Sequence, residues 1–302
     1  MRHLSIITVF VALFLLPLGA QAATFEVGGW IPYWRSATGT LDVMPHIAAL
    51  TTVHPFSYTV KNDGTLNDAM GIDAEPWTTF INTAKQNKTR VVPSVMWSDG
   101  AAIHSILSNG TTRRALEDEI ANTVKEKGFD GIDIDFEGKW AETSIYFSTF
   151  LKGLYMRMGQ KWVYCTIEPR TPISSRYEGK PPAGAGTYAN DYAEINKYCD
   201  RVQIMAYDQG SVDVVLNAAN QGPYIPVADP KWAEKVVNLV ARDIPKRKLI
   251  LGIPTYGYEY QVTPLSIGGY LYKRQWALNP EYALDLAEQL GLVIQRNSAG
   301  EL

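Results

Sequence analysis

The stretch Asp130-Gly-Ile-Asp133-Ile-Asp135-Phe-Glu137 decides the fold and contains the most unusual charge pattern in the chain. A β-strand turns alternate side chains to opposite faces, so this stretch would present three acids on one face and apolar residues on the other. Like charges this close raise one another's pKa and cost stability, which is typical of a functional site. The sequence therefore predicts a strand that carries a functional cluster of Asp133, Asp135 and Glu137. A merely solvated strand face is the alternative, and the apolar alternation disfavours it.

The residues before this stretch predict that the strand belongs to an α/β unit. Apolar residues recur at helical spacing over residues 112–127, and Gly128 can end that helix. Asp130 is out of phase with the three acids, so we expect it to make structural hydrogen bonds at the start of the strand.

Short β-rich segments alternate with helical patterns along the chain, which is typical of an α/β fold with a parallel sheet, open or closed. Over 302 residues the alternation favours one large domain over two small ones. The Gly/Pro-rich residues 179–186 are interpreted as a loop rather than a linker. The predicted strands are residues 26–34, 52–60, 90–97, 131–137, 161–168, 201–208 and 248–256. The predicted helices are residues 41–50, 76–87, 112–127, 141–158, 188–198, 230–242 and 281–290.

Charge and composition exclude some classes of partner. The formal net charge is −3, with 28 basic and 31 acidic residues, and no basic patch indicates a nucleic-acid partner. The 8 Trp and 17 Tyr are a generous supply of aromatic rings, which serve either core packing or sugar stacking.

The N-terminus has the pattern of a signal peptide over residues 1–22. Arg2 and His3 precede an apolar run over residues 4–18, and Ala20-Gln-Ala22 forms a cleavage site, which leaves residues 23–302 as the mature domain. We expect a secreted, periplasmic or cell-envelope protein. An uncleaved anchor is the alternative, although the run is shorter than the roughly 20 residues of a membrane span. No stable span is expected after cleavage.

Cys165 and Cys199 are the two cysteines. Export permits a disulfide. However, one cysteine is predicted within a strand and the other just before the next strand, a stagger that is unfavourable for bridging. We therefore expect two buried free thiols, with a disulfide as the alternative.

The motif around the acids resembles glycoside hydrolase family 18, which includes chitinases, endo-β-N-acetylglucosaminidases and spore-cortex hydrolases. Residues 130–137 carry its Asp-x-x-Asp-x-Asp-x-Glu pattern. Three other segments resemble strands one, six and seven of that family, in the same order, and the likeness covers residue 26 to the end. These segments are Gly29-Trp-Ile-Pro-Tyr-Trp34, Gln203-Ile-Met-Ala-Tyr-Asp208 and Leu251-Gly-Ile-Pro-Thr-Tyr-Gly257.

The resemblance implies a (β/α)8 TIM barrel with its catalytic groups at the C-terminal ends of the strands. It also implies retaining hydrolysis of β-linked N-acetylglucosamine polymers, chitin or peptidoglycan, in which the substrate's acetamide oxygen is the nucleophile. Glu137 would be the acid and then the base, and Asp135 would orient the acetamide. Asp133 would hydrogen-bond Asp135 and share its proton, and Tyr207 would donate to the acetamide carbonyl. The implied partner is a polysaccharide, with no cofactor and no metal.

Substrate-binding residues are predicted at the strand ends. Met205 and Asp208 match the strand-six motif and would line the subsite, with strand-end packing as the alternative. Glu168 is interpreted as a loop residue rather than a groove residue, and His54 as a core histidine. The candidates for sugar stacking are Tyr33, Trp34, Trp97 and Tyr256.

Two departures from the family pattern bear on these expectations. Strand three carries Ser-x-Gly-Gly in chitinases but Ser94-Val-Met-Trp97 in this chain, so the sequence is closer to the bacterial cell-wall and spore-associated branch. No eighth strand and no strand-eight Trp is found. We expect an α+β insertion to begin near residues 258–302, so the barrel is expected to be incomplete and truncated at its C-terminus.

Two further hypotheses remain open. A catalytically silent, lectin-like protein of the same fold is one, although family lectins often lose the terminal Glu that is present here. A metal-dependent barrel is the other, with the three acids as hard oxygen ligands for Mg²⁺ or Ca²⁺.

Overall fold

A curled parallel sheet organises the molecule, which is known from a computed structural model that describes residues 25–210, 223–266 and 268–302. The predicted signal peptide, residues 1–22, lies outside the described residues. The sheet path runs β1-β2-β5-β6-β7-β8-β9, and every neighbouring pair on this path is parallel. The seven path strands are Gly28–Pro32 (β1), Thr52–Val60 (β2), Ser94–Trp97 (β5), Gly131–Phe136 (β6), Trp162–Ile167 (β7), Arg201–Ile204 (β8) and Leu249–Leu251 (β9). Leu66–Asp68 (β3) and Arg90–Val91 (β4) pair with β2 off the path.

Helices alternate with these strands as the sequence predicts. They are Ser36–Val43 (α1), Trp77–Gln86 (α2), Gly100–Ser108 (α3), Gly110–Glu126 (α4), Ser144–Met158 (α5), Tyr192–Tyr198 (α6), Pro230–Val240 (α7) and Pro280–Gln289 (α8). Helix α3 is an addition to the predicted set. The first predicted helix is divided between α1 and a 3-10 segment, Met44–Ala49.

The sheet curls until its first strands face its middle strands. Trp30 on β1 donates a hydrogen bond from Nε1 to Asp133 Oδ2 on β6, at 3.0 Å. At the opposite end of the strands, Glu26 forms ion pairs with Arg90 and Arg201. The result is a half-barrel of α/β type. In the part of the chain that the structure describes, β1 and β9 are its edges and no eighth parallel strand joins them.

The outer face of β6 forms the centre of the hydrophobic core, as the alternation predicts. Ile132, Ile134 and Phe136 are fully buried. Phe136 stacks on Phe150 of α5, with the ring centroids 5.4 Å apart. Burial of the apolar side chains therefore orients this face of β6 toward the helices. Because side chains alternate along a strand, the acids lie on the opposite face.

The two cysteines form a disulfide with Cα atoms 6.0 Å apart, so the prediction of two free thiols is wrong. Cys165 lies on β7 and faces the helices, because its neighbour Thr166 faces the barrel interior and bonds Asp133. Cys199 directly follows α6, and the end of this helix lies over the outer face of β7. Because α6 approaches β7, Cys199 lies next to Cys165 even though the two cysteines occupy different positions relative to their strands.

Residues 257–278 form an antiparallel hairpin where the sequence predicts only a loop before a helix. Its strands are Gly257–Pro264 (β10) and Tyr270–Leu278 (β11), and α8 follows. The hairpin and α8 form an α+β arrangement at the position where the sequence predicts an insertion to begin. That these residues are an insertion into the barrel stays a prediction.

Candidate active site

The three acids of β6 lie in a row that leads from the barrel interior to an open cleft. Asp133 is 0% exposed and Asp135 is 3% exposed, whereas Glu137 is half-buried. Asp135 and Glu137 line the cleft, which has a volume of about 1130 Å³. The predicted cluster is therefore present, and its outer two members lie at the wall of the cleft.

Asp133 is held by three hydrogen-bond donors from three other strands. Its Oδ2 accepts from Ser94 Oγ at 2.7 Å and from Trp30 Nε1 at 3.0 Å. Its Oδ1 accepts from Thr166 Oγ1 at 2.7 Å. This pattern suits a carboxylate that acts only as an acceptor. The predicted hydrogen bond between Asp133 and Asp135 stays a prediction.

Asp135 is a carboxyl group whose neutral form is favoured. Burial first, then the charges of Asp133 and Glu137, raise its pKa well above the ordinary value. Its side chain acts to lower the pKa of the neighbouring Glu137. Its Oδ1 is buried and has no partner among the described residues. Asp135 thus offers one unused oxygen beside the cleft.

Glu137 also has a raised pKa. Burial is the largest cause, the charge of Glu168 is the second, and Lys139 acts in the opposite direction. A carboxyl group that stays protonated at higher pH than usual can donate a proton to a leaving group. Glu137 therefore has the electrostatic environment of a general acid.

The half-buried Glu168 and the buried side chain of Lys139 support the loop that carries Glu137. Glu168 Oε1 accepts from the backbone N–H of Gly138 at 2.7 Å, and its Oε2 accepts from Asn190 Nδ2 at 3.2 Å. Lys139 Nζ donates to the carbonyl oxygen of Phe136 and lies 3.5 Å from Glu168 Oε2. Burial lowers the pKa of Lys139. Glu168 thus holds the loop after Glu137, in agreement with its interpretation as a loop residue, and Lys139 was not predicted.

The strand-six and strand-seven candidates converge on the same cleft, which Met205, Tyr207, Asp208 and Tyr256 all line. Burial and the charges of Asp135 and Glu137 raise the pKa of the Tyr207 hydroxyl, so it stays a donor at physiological pH. Asp208 adopts a left-handed backbone conformation with φ of 52°. Its Oδ1 accepts hydrogen bonds from the hydroxyls of Tyr256 and Tyr258.

The aromatic candidates separate into three groups. Trp34 and Tyr256 line the cleft, and Trp34 is 64% exposed. Tyr33 is exposed and packs edge-on against Trp34, but it does not line the cleft. Trp97 is only 4% exposed and packs edge-to-face against Phe136, so its prediction as a sugar-stacking residue is wrong. The physical reason is strand alternation, which turns Trp97 toward the helices.

Five aromatic residues that line the cleft were not predicted, namely Trp30, Phe56, Tyr258, Trp276 and Tyr282. Trp30 and Pro32 of β1 both line the cleft, as does Trp34 in the 3-10 turn after β1, and this spacing of two residues is a signal that could have found Trp30. Trp276 lies on β11 of the hairpin, is 67% exposed and lines the cleft. The hairpin that carries it was not predicted, so no signal placed Trp276 near the acids.

Two interpretations of other residues are confirmed. Asp130 Oδ2 accepts from the N–H of Val91 at 2.8 Å, a structural bond at the start of β6. His54 is buried, and its Nδ1 lies 3.0 Å from the carbonyl oxygen of Val92.

The side chains do not form an obvious metal-binding group. Across residues 25–210, 223–266 and 268–302, no group of three or more His, Cys, Asp or Glu side chains is arranged to hold a metal ion. Both oxygens of Asp133 are already engaged by N–H and O–H donors. The same described residues contain no helix that is long and apolar enough to span a membrane.

Comparisons with known proteins agree with this geometry. The family model for Glycosyl hydrolases family 18 matches residues 28–289. The uncharacterized glycosylase YvbX of Bacillus subtilis is 29% identical over 164 residues, which cover 54% of this chain and 44% of that protein. The cortical fragment-lytic enzyme of B. subtilis is 24% identical over 260 residues, which cover 83% and 54%. The chain spans about half the length of the curated relatives it matches.

Solved structures show the same fold. The spore cortex-lytic enzyme SleL of Bacillus cereus superposes with a TM-score of 0.69 and 20% identity. The match covers 91% of this chain and 60% of that chain. At this identity the likeness establishes the fold, a barrel of the TIM type that is incomplete in the described residues.

Proposed function

The chain belongs to glycosyl hydrolase family 18, and we propose that it cleaves the β-linkage of N-acetylglucosamine polymers of the chitin or peptidoglycan type. The observation that supports this proposal is the pair of Asp135 and Glu137, which line the same cleft and both have a raised pKa. A carbohydrate substrate is implied by the family.

The first chemical step is proton donation by Glu137 to the glycosidic oxygen. The raised pKa of Glu137 keeps the proton available near neutral pH. The neutral Asp135, which lowers the pKa of Glu137, would then stabilise the carboxylate that Glu137 becomes. As a carboxylate, Glu137 can take a proton from the water that completes hydrolysis.

The nucleophile is the acetamide oxygen of the substrate. Asp135 is unsuited to direct attack because burial and its neighbours favour its neutral form. Its unpartnered Oδ1 can instead accept the acetamide N–H, and the Tyr207 hydroxyl can donate to the acetamide carbonyl. These contacts would hold the acetamide under the anomeric carbon, in the substrate-assisted form of retaining hydrolysis.

The aromatic walls of the cleft would hold the neighbouring sugars. Trp34 and Trp276 are large, exposed rings that line the same cleft as the acids. Sugar rings stack on such faces through their C–H surfaces.

The basic and apolar N-terminus supports the further proposal that the protein acts in the cell envelope or outside the cell.

Hydrolysis of a chromogenic N-acetylglucosamine oligomer and of purified peptidoglycan strands would test this function, with and without a chelator. We expect activity that survives the chelator and falls at least about 100-fold in Glu137→Gln, the scale of a lost general acid. Glu142→Gln is the matched control, since Glu142 is exposed and lies outside the cleft. Binding without hydrolysis by the folded chain would instead indicate a lectin-like protein.

A further inference from the structure

A second cleft adjoins the catalytic cleft and contains two arginines. It lies under the loop that follows β7, has a volume of about 530 Å³, and is lined by Arg170, Arg176, Tyr177 and Tyr188. Asp208 lines both clefts, so the two are neighbours along one surface. A polymer that passes the acids of β6 can therefore reach the arginines.

The two guanidinium groups are held side by side by the same loop. Arg170 Nη2 donates to the carbonyl oxygen of Ala185 at 2.9 Å, and Arg176 Nη2 donates to that same oxygen at 3.1 Å. Arg170 Nη1 also donates to the carbonyl oxygen of Thr187 at 2.9 Å. Arg170 lies over the ring of Tyr188, 4.3 Å from its centroid. These contacts fix two like charges at short range.

No acid compensates this pair of charges. In the described part of the chain, neither Arg170 nor Arg176 has a carboxylate oxygen within 4.0 Å. The Nε of Arg176 is buried and has no hydrogen-bond partner there. Asp208, the acid that lines the cleft, already accepts the hydroxyls of Tyr256 and Tyr258.

Two other arginine pairs among the described residues are each built around an acid. Arg113 and Arg157 share Glu117 between α4 and α5. Arg90 and Arg201 share Glu26 at the base of the barrel. Two adjacent guanidiniums without an acid, one with a buried free N–H, form a site for an external carboxylate, whose oxygens match the guanidinium fork.

We propose that the Arg170–Arg176 cleft binds a carboxylate carried by the polysaccharide near the cleaved bond. This inference rests on the proposed function and narrows its substrate class. Chitin has no carboxylate, whereas peptidoglycan carries one on each lactyl group or on the peptide attached to it. The cleft therefore favours a peptidoglycan-type substrate over chitin.

Direct binding of fluorescently labelled glycans to the full chain tests this proposal without requiring turnover. The probes are a neutral N-acetylglucosamine oligomer, peptidoglycan strands with peptides, strands with peptides removed to leave lactyl carboxylates, and strands with all carboxylates amidated. We expect amidation to weaken binding to the wild-type chain about tenfold, the scale of one or two charge-assisted hydrogen bonds. Equal affinity for amidated and unmodified strands would overturn the proposal.

Single substitutions test whether the arginines cause the preference for carboxylated glycan. In Arg176→Gln we expect the preference for carboxylated over neutral glycan to fall about tenfold, whereas Lys180→Gln, an exposed charge in the same loop, keeps it. If Arg176→Gln loses the preference for strands that carry only lactyl carboxylates, the lactyl carboxylate is the ligand. If it loses the preference only for peptide-bearing strands, a carboxylate of the peptide is the ligand. An unchanged preference in Arg176→Gln would refute the site. Hydrolysis assays on the same probes decide the proposed function separately, because binding preference does not depend on cleavage.

Discussion

At the residue scale, the period-two alternation of β6 decides the chemistry of the site. The same geometry that buries Ile134 and Phe136 among the helices places Asp135 and Glu137 at the cleft. This assignment could be made from sequence because alternation is a local property. The hydrogen bond from Trp30 to Asp133 could not, since it depends on the curl of the sheet. The ion pair of Lys139 with Glu168 could not either, since it joins residues that follow two different strands.

The pH dependence of activity should reveal the influence of Glu168 on Glu137. The negative charge of Glu168 raises the pKa of Glu137, so Glu168→Gln should lower this pKa. A general acid is active below its pKa, and the alkaline limb of the kcat/KM profile should therefore move to lower pH. A profile measured beside that of Glu178→Gln, an exposed acid, would check the shift.

Removal of the positive charge at Lys139 should shift the profile in the opposite direction. Lys139 lowers the pKa of Glu137, so Lys139→Met should raise it and extend activity to higher pH. Shifts of the same sign in Glu168→Gln and Lys139→Met would contradict an electrostatic cause, since the two charges act oppositely.

At the element scale, the parallel strands and their helices were predicted from sequence, but the hairpin of β10 and β11 was not. Its signal is the alternation of Tyr258 with Tyr260 and of Tyr270 with Tyr272, which brings the rings of Tyr260 and Tyr272 to 6.3 Å. Exposed strands of this kind lack the continuous apolar runs of the barrel strands. The disulfide likewise could not be predicted, because it depends on the contact of α6 with β7 and no local sequence pattern indicates that contact.

The disulfide should stabilise the attachment of α6 to β7. It closes a segment with a sequence separation of 34, and loop-closure entropy predicts about 3–4 kcal/mol. We expect Cys165→Ala/Cys199→Ala to lower the free energy of unfolding by about that amount in denaturant titrations. Reductant should destabilise the wild-type chain and leave the double variant unaffected, and equal sensitivity of the two would refute the bridge.

The contact between α4 and α5 depends on the absence of a side chain at Gly153. A Cβ there would overlap the carboxylate of Glu117, which is buried between Arg113 and Arg157. Gly153→Ala should therefore cost about 1–3 kcal/mol of stability, measured by thermal or denaturant unfolding. Gly159→Ala is not a suitable control because φ there is 62°, whereas Gly179→Ala meets open space. An unchanged free energy of unfolding in Gly153→Ala would contradict tight packing of residue 153 against the Glu117 carboxylate.

At the scale of the whole molecule, the half-barrel and the hairpin form two walls of one cleft. The acids lie on the barrel wall, and Trp276 lies on the hairpin wall. The family motifs predicted the first wall because each lies on a barrel strand. The hairpin wall could not be predicted from the sequence, because its residues match no family motif and reach the cleft only through the folding of the whole chain.

Loss of the hairpin ring should weaken the binding of long substrates. One stacked aromatic face contributes about 0.5–1.5 kcal/mol, so Trp276→Ala should raise KM for oligomers about two- to tenfold. Leu271→Ala is the matched control, because Leu271 is exposed on the same strand but does not line the cleft. Equal effects of the two variants on KM would exclude a specific role of the hairpin in substrate binding.

The central claim is that the substrate's own acetamide attacks the anomeric carbon while Glu137 donates the proton. The most direct measurement is proton NMR of the first product from two matched oligomers, one N-acetylated and one with free amines. Substrate-assisted retention predicts a β-anomer from the N-acetylated oligomer and no cleavage of the free-amine oligomer. An α-anomer as the first product, or comparable cleavage of the free-amine oligomer, would contradict the account.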